Sequence, residues 1–181
     1  MKKLPLMAVA VVALAGLLAA VALASTTARR TSQANIVQVA VSSPQLSTLV
    51  TLVKKAGLVS ALSNPKAGLT VFAPTNTAFA NLKKADPMTF NAVLTTPALL
   101  KKILTYHVLA TKVDAAAAIS AARKHASVKT LEGEKIKLSI VGGKLTLNGS
   151  STVIKANIPA ANGVVHVINT VLVPPSVKVT G

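Results

Sequence analysis

The sequence predicts an α+β domain, with helices mostly in its N-terminal part and strands mostly in its C-terminal part. Three observations carry that assignment. Apolar residues recur at helical spacing in several short segments between Asn35 and His125. From Ser127 onward the apolar period changes to two. Between the helical segments, Leu69–Phe79 reads as a buried strand running straight into a helix. The chain has no internal repeat, so both parts are assigned to one domain.

The first segment is set apart from the fold. Lys2, Lys3 and Pro5 precede an uncharged apolar run from Leu6 to Ala24, the form of a secretory signal, and Ala22-Leu23-Ala24 offers small residues for cleavage before Ser25. The run is nearly long enough to span a bilayer, so an uncleaved anchor is the competing reading, and membrane attachment is expected only in that case. Residues 1–24 are therefore read as signal peptide and 25–34, rich in Ser, Thr, Ala and Arg, as a flexible leader. The domain is expected over 35–175, with 176–181 as a short tail.

Within the domain, Asn35 is placed to cap a short helix carrying Ile36, Val37, Val39 and Ala40. A second helix is expected over Gln45–Ala56, with Leu46, Leu49, Val50 and Val53 on one face, Lys54 and Lys55 in the last turn, and Gly57 just beyond. The strand at Leu69–Phe72 ends at Pro74, which lacks a ladder donor. Thr75 then caps a helix that places Ala78, Phe79 and Leu82 together. Asp86-Pro87 and Thr96-Pro97 each join a capping side chain to proline at the first helical position. In the second of these helices Leu99, Leu100, Ile103 and Leu104 form the apolar side, with Lys101 and Lys102 off it. Tyr106–Leu109 is expected as a strand, and Asp114 as the cap of an Ala-rich helix reaching His125. Glu134–Ile140 and Lys144–Asn148 form a hairpin about Gly142-Gly143. Val153–Ile158, Val164–Ile168 after the Asn162-Gly163 turn, and Val171–Val173 are expected to complete the sheet.

Composition excludes several function classes. The chain carries 20 basic and 4 acidic residues, and loss of Lys2 and Lys3 with the signal leaves 18 against 4. A charge of that sign favours anionic polysaccharide, wall or matrix polymer, or a membrane surface. Specific nucleic-acid recognition is not expected, because one Tyr and three Phe make no stacking platform. Without cysteine there is no disulfide and no thiolate site, and three dispersed histidines give no metal pattern. Asp86 and Asp114 are committed to caps, and Glu132 and Glu134 lie at a hairpin start. No carboxylate pair or Ser-His-Asp set can be assigned, so neither catalysis nor a cofactor is expected. His107 and His166 read best as hydrogen-bonded structural residues. The pairs Lys54/Lys55, Lys83/Lys84 and Lys101/Lys102, with Lys135, Lys137, Lys144 and Lys155, are candidates for a basic interaction surface. Asn148-Gly149-Ser150 is a sequon that a eukaryotic secretory route can glycosylate at Asn148 and that is only a turn in a bacterium.

Taken in order, these landmarks resemble the fasciclin (FAS1) domain family over about Asn35–Pro175. Thr70-Val-Phe-Ala-Pro-Thr-Asn-Thr-Ala-Phe79, with Phe72, Pro74, Thr75 and Asn76, is similar to the family's first signature. Tyr106-His107 is similar to its central Tyr-His pair, and Asn162-Gly163 through His166 and Asn169 to Pro174 to its second signature. The resemblance implies a β-sandwich or wedge with a helical layer, in a secreted or cell-surface protein (periplasmic in a Gram-negative organism) that contacts matrix or another surface protein. Asn76, Asn157 and Asn169 stand where family members often carry Asp. Asn157-Ile158 occupies the place of an Asp-Ile pair associated with integrin adhesion in animal members, so that mode loses its carboxylate. Some algal proteins of this resemblance bind carotenoid, which makes an apolar-ligand carrier, with an aliphatic cleft between sheet and helices, the alternative function.

Overall fold

The computed structural model describes residues 33–177; the expected signal peptide and the leader up to residue 32 lie outside the described residues, as do residues 178–181. The chain runs through α1 (Ile36–Val41), α2 (Ser47–Lys55), α3 (Val59–Ser63), β1 (Leu69–Pro74), α4 (Asn76–Ala85), α5 (Pro87–Thr95) and α6 (Pro97–Tyr106). It continues through β2 (Val108–Leu109), α7 (Ala115–Arg123), β3 (Ser127–Lys129), β4 (Lys135–Val141), β5 (Lys144–Leu147), β6 (Ser151–Ala160) and β7 (Gly163–Ile168). Helices thus precede most of the sheet. Among the described residues no helix is long and apolar enough to cross a membrane.

Local chemistry accounts for most boundaries. Asn35 Oδ1 accepts from the Gln38 backbone N–H at 2.9 Å while Gln38 Oε1 accepts from that of Asn35 at 2.9 Å, a reciprocal capping box. Thr75, Asp86 and Asp114 cap α4, α5 and α7 by accepting from the N–H groups of Ala78, Thr89 and Ala117. Gly142 and Gly143 both take positive φ in the β4–β5 turn, which matches the twist of a two-residue hairpin.

Four expectations are corrected. Thr96 makes no side-chain cap, and α6 starts on Pro97 alone. Tyr106 is the last residue of α6 and His107 its C-cap, so the strand there shrinks to Val108–Leu109. Val171–Val173 is not a strand; Val171 and Leu172 are buried, and the Leu172 N–H donates to His107 Nε2 rather than to a ladder. Pro44–Leu46 is a separate 3-10 turn ahead of α2, and α3 is a helix beyond those the periodicity marks. In the expected tail, Val177 is buried and the Ser176 hydroxyl donates to Glu134.

The strands form one seven-stranded sheet in the order β2-β1-β7-β6-β5-β4-β3. β1 and β7 pair in parallel, with Phe72 beside His166, and all other neighbours are antiparallel. An antiparallel bridge between Leu109 and Thr130 joins the two ends of that order, so the sheet curls almost into a barrel and its short edges are covered. Both faces of β1 and β7 are buried, as a parallel pair requires. Alternation sends Leu69, Val71, Ala73, Val165 and Val167 to the core shared with α1–α6. Phe72 and Ile168 go to a second core with Tyr106, Ile136, Leu138 and Leu147, lined on one side by Ala118 and Ala122 of α7. At the start of β7 the backbones come so close that a Cβ on Gly163 would collide with the Leu69 carbonyl oxygen.

Candidate functional site

The two signature segments meet along the β1–β7 pair and continue into the corner at Thr75. Within the second core the Phe72 ring stacks on the His166 imidazole, with centroids 5.7 Å apart. His166 Nε2 donates to the Val113 carbonyl at 2.9 Å, and Nδ1 accepts from the Asn157 N–H at 3.3 Å. His107 Nδ1 donates to the Ile103 carbonyl at 2.7 Å, and Nε2 accepts from the Leu172 N–H at 2.9 Å. Each ring therefore uses one nitrogen as donor and the other as acceptor, an arrangement only neutral imidazole can satisfy. Burial lowers the pKa of His107 to about 4 and lowers that of His166 as well. Tyr106 is buried in the second core, its hydroxyl donating to the Lys135 carbonyl at 3.2 Å and its titration pushed up by burial. Thr70 is likewise buried, its hydroxyl donating to the Thr111 carbonyl and accepting from the Val113 N–H, both at 2.7 Å.

The asparagines reach across the sequence. Asn162 is buried; its Oδ1 accepts from the Ile36 N–H at 3.0 Å, and its Nδ2 donates to the carbonyls of Leu62 at 2.7 Å and Asn64 at 3.1 Å. Asn76 Oδ1 accepts from the Thr48 N–H, while its Nδ2 donates to the Pro44 carbonyl and the Ser47 hydroxyl, each at 3.0 Å. Asn157, at φ 55° in the β6 bulge, accepts from the Ala115 N–H at 2.7 Å. All three supply a first-turn acceptor to a helix remote in sequence: α1, α2 and α7. Asn169 accepts from the Thr152 N–H at 2.8 Å and ties β6 to the end of β7. Ile158, beside Asn157, packs partly against the helix-side core. Asn148 is exposed, at positive φ, with its Nδ2 donating to the Tyr106 hydroxyl at 2.8 Å and its Oδ1 accepting from the Lys137 N–H at 2.9 Å. Sequence reasoning did not find the role of Asn162 or the remote caps, because nothing local marks a partner that far away.

The acids stay where the sequence placed them. Asp86 and Asp114 are caps, and hydrogen bonds from Thr89 hold the Asp86 carboxyl below its ordinary range. Glu132 pairs with Lys102 at 3.5 Å, the one ion pair among the described residues. No group of three His, Cys, Asp or Glu that could hold a metal occurs among the described residues.

The lysines divide. Lys54, Lys83, Lys84 and Lys101 are exposed, Lys55 Nζ donates to the Leu94 carbonyl, and Lys102 is taken by Glu132. On the outward face of the β3–β4 ladder Lys129 stands directly opposite Lys135, with Lys137 two residues along the same strand, and all three are exposed. The space between sheet and helices, where the carrier alternative requires an aliphatic cleft, is occupied by the side chains of the two cores.

Fold and site together define an α+β scaffold whose most distinctive residues hold its segments to one another. The fasciclin domain model matches residues 44–174, and the chain belongs to that family. It is 43% identical over 144 residues to Protein sll1483 of Synechocystis, covering 80% of this chain and 76% of that one. It is 31% identical over 150 residues to the immunogenic protein MPB70 of Mycobacterium bovis, covering 80% and 72% of the two chains. Against the transforming growth factor-beta-induced protein ig-h3 of Sus scrofa it is 39% identical over 134 residues, 74% of this chain but 18% of that protein. The FAS1 domain pair from the insect cell adhesion molecule Fasciclin I superposes with a TM-score of 0.70 at 16% identity, covering 80% of this chain and 52% of that chain, which establishes the fold.

Proposed function

We propose that this protein is a secreted or surface-held, non-catalytic adhesion module that retains anionic glycans or wall polymers on the β3–β4 face. The observation that carries the reading is the Lys129–Lys135 cross-strand pair, extended by Lys137. Like charges directly opposite each other destabilise a ladder, and no carboxylate among the described residues forms an ion pair with them. A polyanion laid along the face would relieve that repulsion. The occurrence of this fold in an insect cell adhesion molecule supports the same class of function.

Retention on an acidic polysaccharide column tests the proposal. The protein should bind at low salt and elute as ionic strength rises, and replacing Lys129, Lys135 and Lys137 by Ser should advance elution more than replacing Lys54, Lys83 and Lys101. Passage of the unaltered protein straight through the column at low salt would sink the reading. The module is expected to work without a cofactor. The filled space between sheet and helices favours that over a carotenoid carrier, and a visible chromophore on protein purified from its source would reverse the preference.

A further inference from the structure

A second feature of the surface differs in chemistry from the lysine face. At the carboxyl ends of β1 and β7 a cleft of about 570 Å3 opens, lined by Gln45, Thr75, Asn76, Thr77, Asn81, Ile154, Asn169 and Thr170. Its volume lies within the range of about 300–1,000 Å3 common to small-ligand sites. Not one of these residues is charged, in a chain with 20 basic and 4 acidic side chains. The wall is instead amide, hydroxyl and one aliphatic group.

The fold explains how these groups converge. Thr75–Thr77 is the strand-to-helix corner, and Asn81 follows Thr77 one turn along α4, on the same helix face. Asn169 and Thr170 leave the end of the paired strand β7, and Gln45 belongs to the turn that Asn76 ties down through Pro44. Some of the wall is already spent on the fold: Thr75 caps α4, both ends of the Asn76 amide are bonded, and Asn169 Oδ1 accepts from Thr152 and from the Thr170 hydroxyl. Among the described residues the Gln45 and Asn81 amides, the Asn169 Nδ2 and the Thr77 hydroxyl have no protein partner, and all four residues are exposed. They offer donors and acceptors together, without a charge. Ile154 is 54% exposed and gives the same cleft an apolar contact.

We propose that this cleft binds a short run of sugar rings from a neutral glycan. An amide can donate and accept side by side, which matches adjacent hydroxyls on a pyranose. An aliphatic wall suits the ring's C–H face. No charged side chain lines the cleft to pair with an ion. The cleft is separate from the lysine face, and the two differ in how salt affects them: ionic retention weakens with salt, whereas hydrogen bonding to a neutral ligand does not.

The test uses the isotopically labelled protein and millimolar neutral hexasaccharides of glucan, mannan and xylan type. Amide resonances of Asn76–Asn81, Ile154, Asn169 and Thr170 should shift with at least one of them, with the same apparent affinity at low and at 0.5 M salt, a roughly sixfold change in ionic screening length between about 15 mM and that value. Asn81→Ala and Gln45→Ala, which remove free side chains without touching a cap, should each weaken binding severalfold while leaving the remaining spectrum in place. Absence of shifts at these residues with every sugar would overturn the proposal. So would shifts that map to Lys129, Lys135 and Lys137, or that disappear in salt. Equal binding of an uncharged peptide of similar length would refute the carbohydrate assignment. Failure here leaves polyanion retention standing, and failure of retention leaves this cleft standing.

Discussion

Replacing Asn162 by Asp changes one atom's chemistry at a buried side chain that makes three hydrogen bonds to segments remote in sequence. The acceptor facing the Ile36 N–H survives, but the group that donates to the Leu62 and Asn64 carbonyls becomes a second acceptor. Two buried carbonyls lose their partner and face a carboxylate. At about 1–3 kcal/mol for each unsatisfied buried group, the expected loss is roughly 3–5 kcal/mol at pH 7. The repulsion raises the folded-state pKa of the new carboxyl above its unfolded value of about 3.9, so its folded form holds a proton that the unfolded chain has released. The variant's deficit is therefore smallest in acid and grows as pH rises through that folded pKa. Urea denaturation of variant and unaltered protein side by side at pH 4.5 and pH 7 measures the difference at each pH, which removes the contribution of the shared histidines. Asn162→Ala, which has no such titration, should show a deficit that is flat with pH. A loss under about 1 kcal/mol at pH 7, or the same loss for the Asp variant at both pH values, would refute the assignment of the Asn162 side chain as a two-way tie between α1 and the end of α3.

Further expectations follow from the same geometry. His107, with its pKa lowered by burial to about 4, binds no proton in the folded state until well below the unfolded value of about 6.5. Its contribution is thus present above pH 6.5 and is lost toward pH 4, by about 3 kcal/mol, with His166 adding in the same direction; His107→Gln should flatten that slope in pH-dependent melting curves. Asn157→Asp should change stability by less than about 1 kcal/mol, since only its acceptor is used and a carboxylate suits a helix N-terminus despite nearby Asp114, whereas Asn76→Asp should cost about 1–2 kcal/mol by ending donation to Pro44; equal effects in calorimetry would contradict the distinction. Phe72→Ala should destabilise by roughly 3–5 kcal/mol, because the ring is fully buried against His166, and an unchanged melting temperature would place the second core elsewhere.

Much of this fold was legible because its signals are local. Asn35, Thr75, Asp86 and Asp114 cap helices through groups three residues away, and Gly142-Gly143 sets a hairpin by its own backbone preference. The errors occur where a distant partner decides. Tyr106-His107 has β-compatible residues, yet Ile103 and Leu172 engage the imidazole and the helix runs to Tyr106. Val171–Val173 has strand composition, but its N–H bonding is diverted to that same ring. The near-closure of the sheet depends on a contact between Leu109 and Thr130 that no period announces. The lysine face was only partly legible: alternation marked Lys135 and Lys137 as outward, while Lys129 joins them through register with β3. The polar cleft was not legible, since its wall comes from four separate segments.

The scarcity of acids and the work of the asparagines are two sides of one arrangement. Helix N-termini favour negative charge, yet no helix among the described residues carries an acid in its first turn. Acceptors are needed there all the same, because the first N–H groups have no partner within the helix. Asn76, Asn157 and Asn162 supply them from other segments, and at Asn76 and Asn162 the amide's second function, donation, is spent on carbonyls that a carboxylate could not serve. Capping by amide satisfies the backbone while adding no negative charge. The helices are thus secured without neutralising the lysines, and the positive field of the domain stays available to an anionic polymer. Where Asp86 and Asp114 do cap with charge, each is held within its own turn, away from the Lys129–Lys135 pair in sequence and in hydrogen bonding. A domain that needed only to fold could have used carboxylates at Asn157 and Asn169, where acceptance alone is required. Keeping amides there raises the net charge by two relative to that choice, and this is the surplus on which polyanion retention would draw.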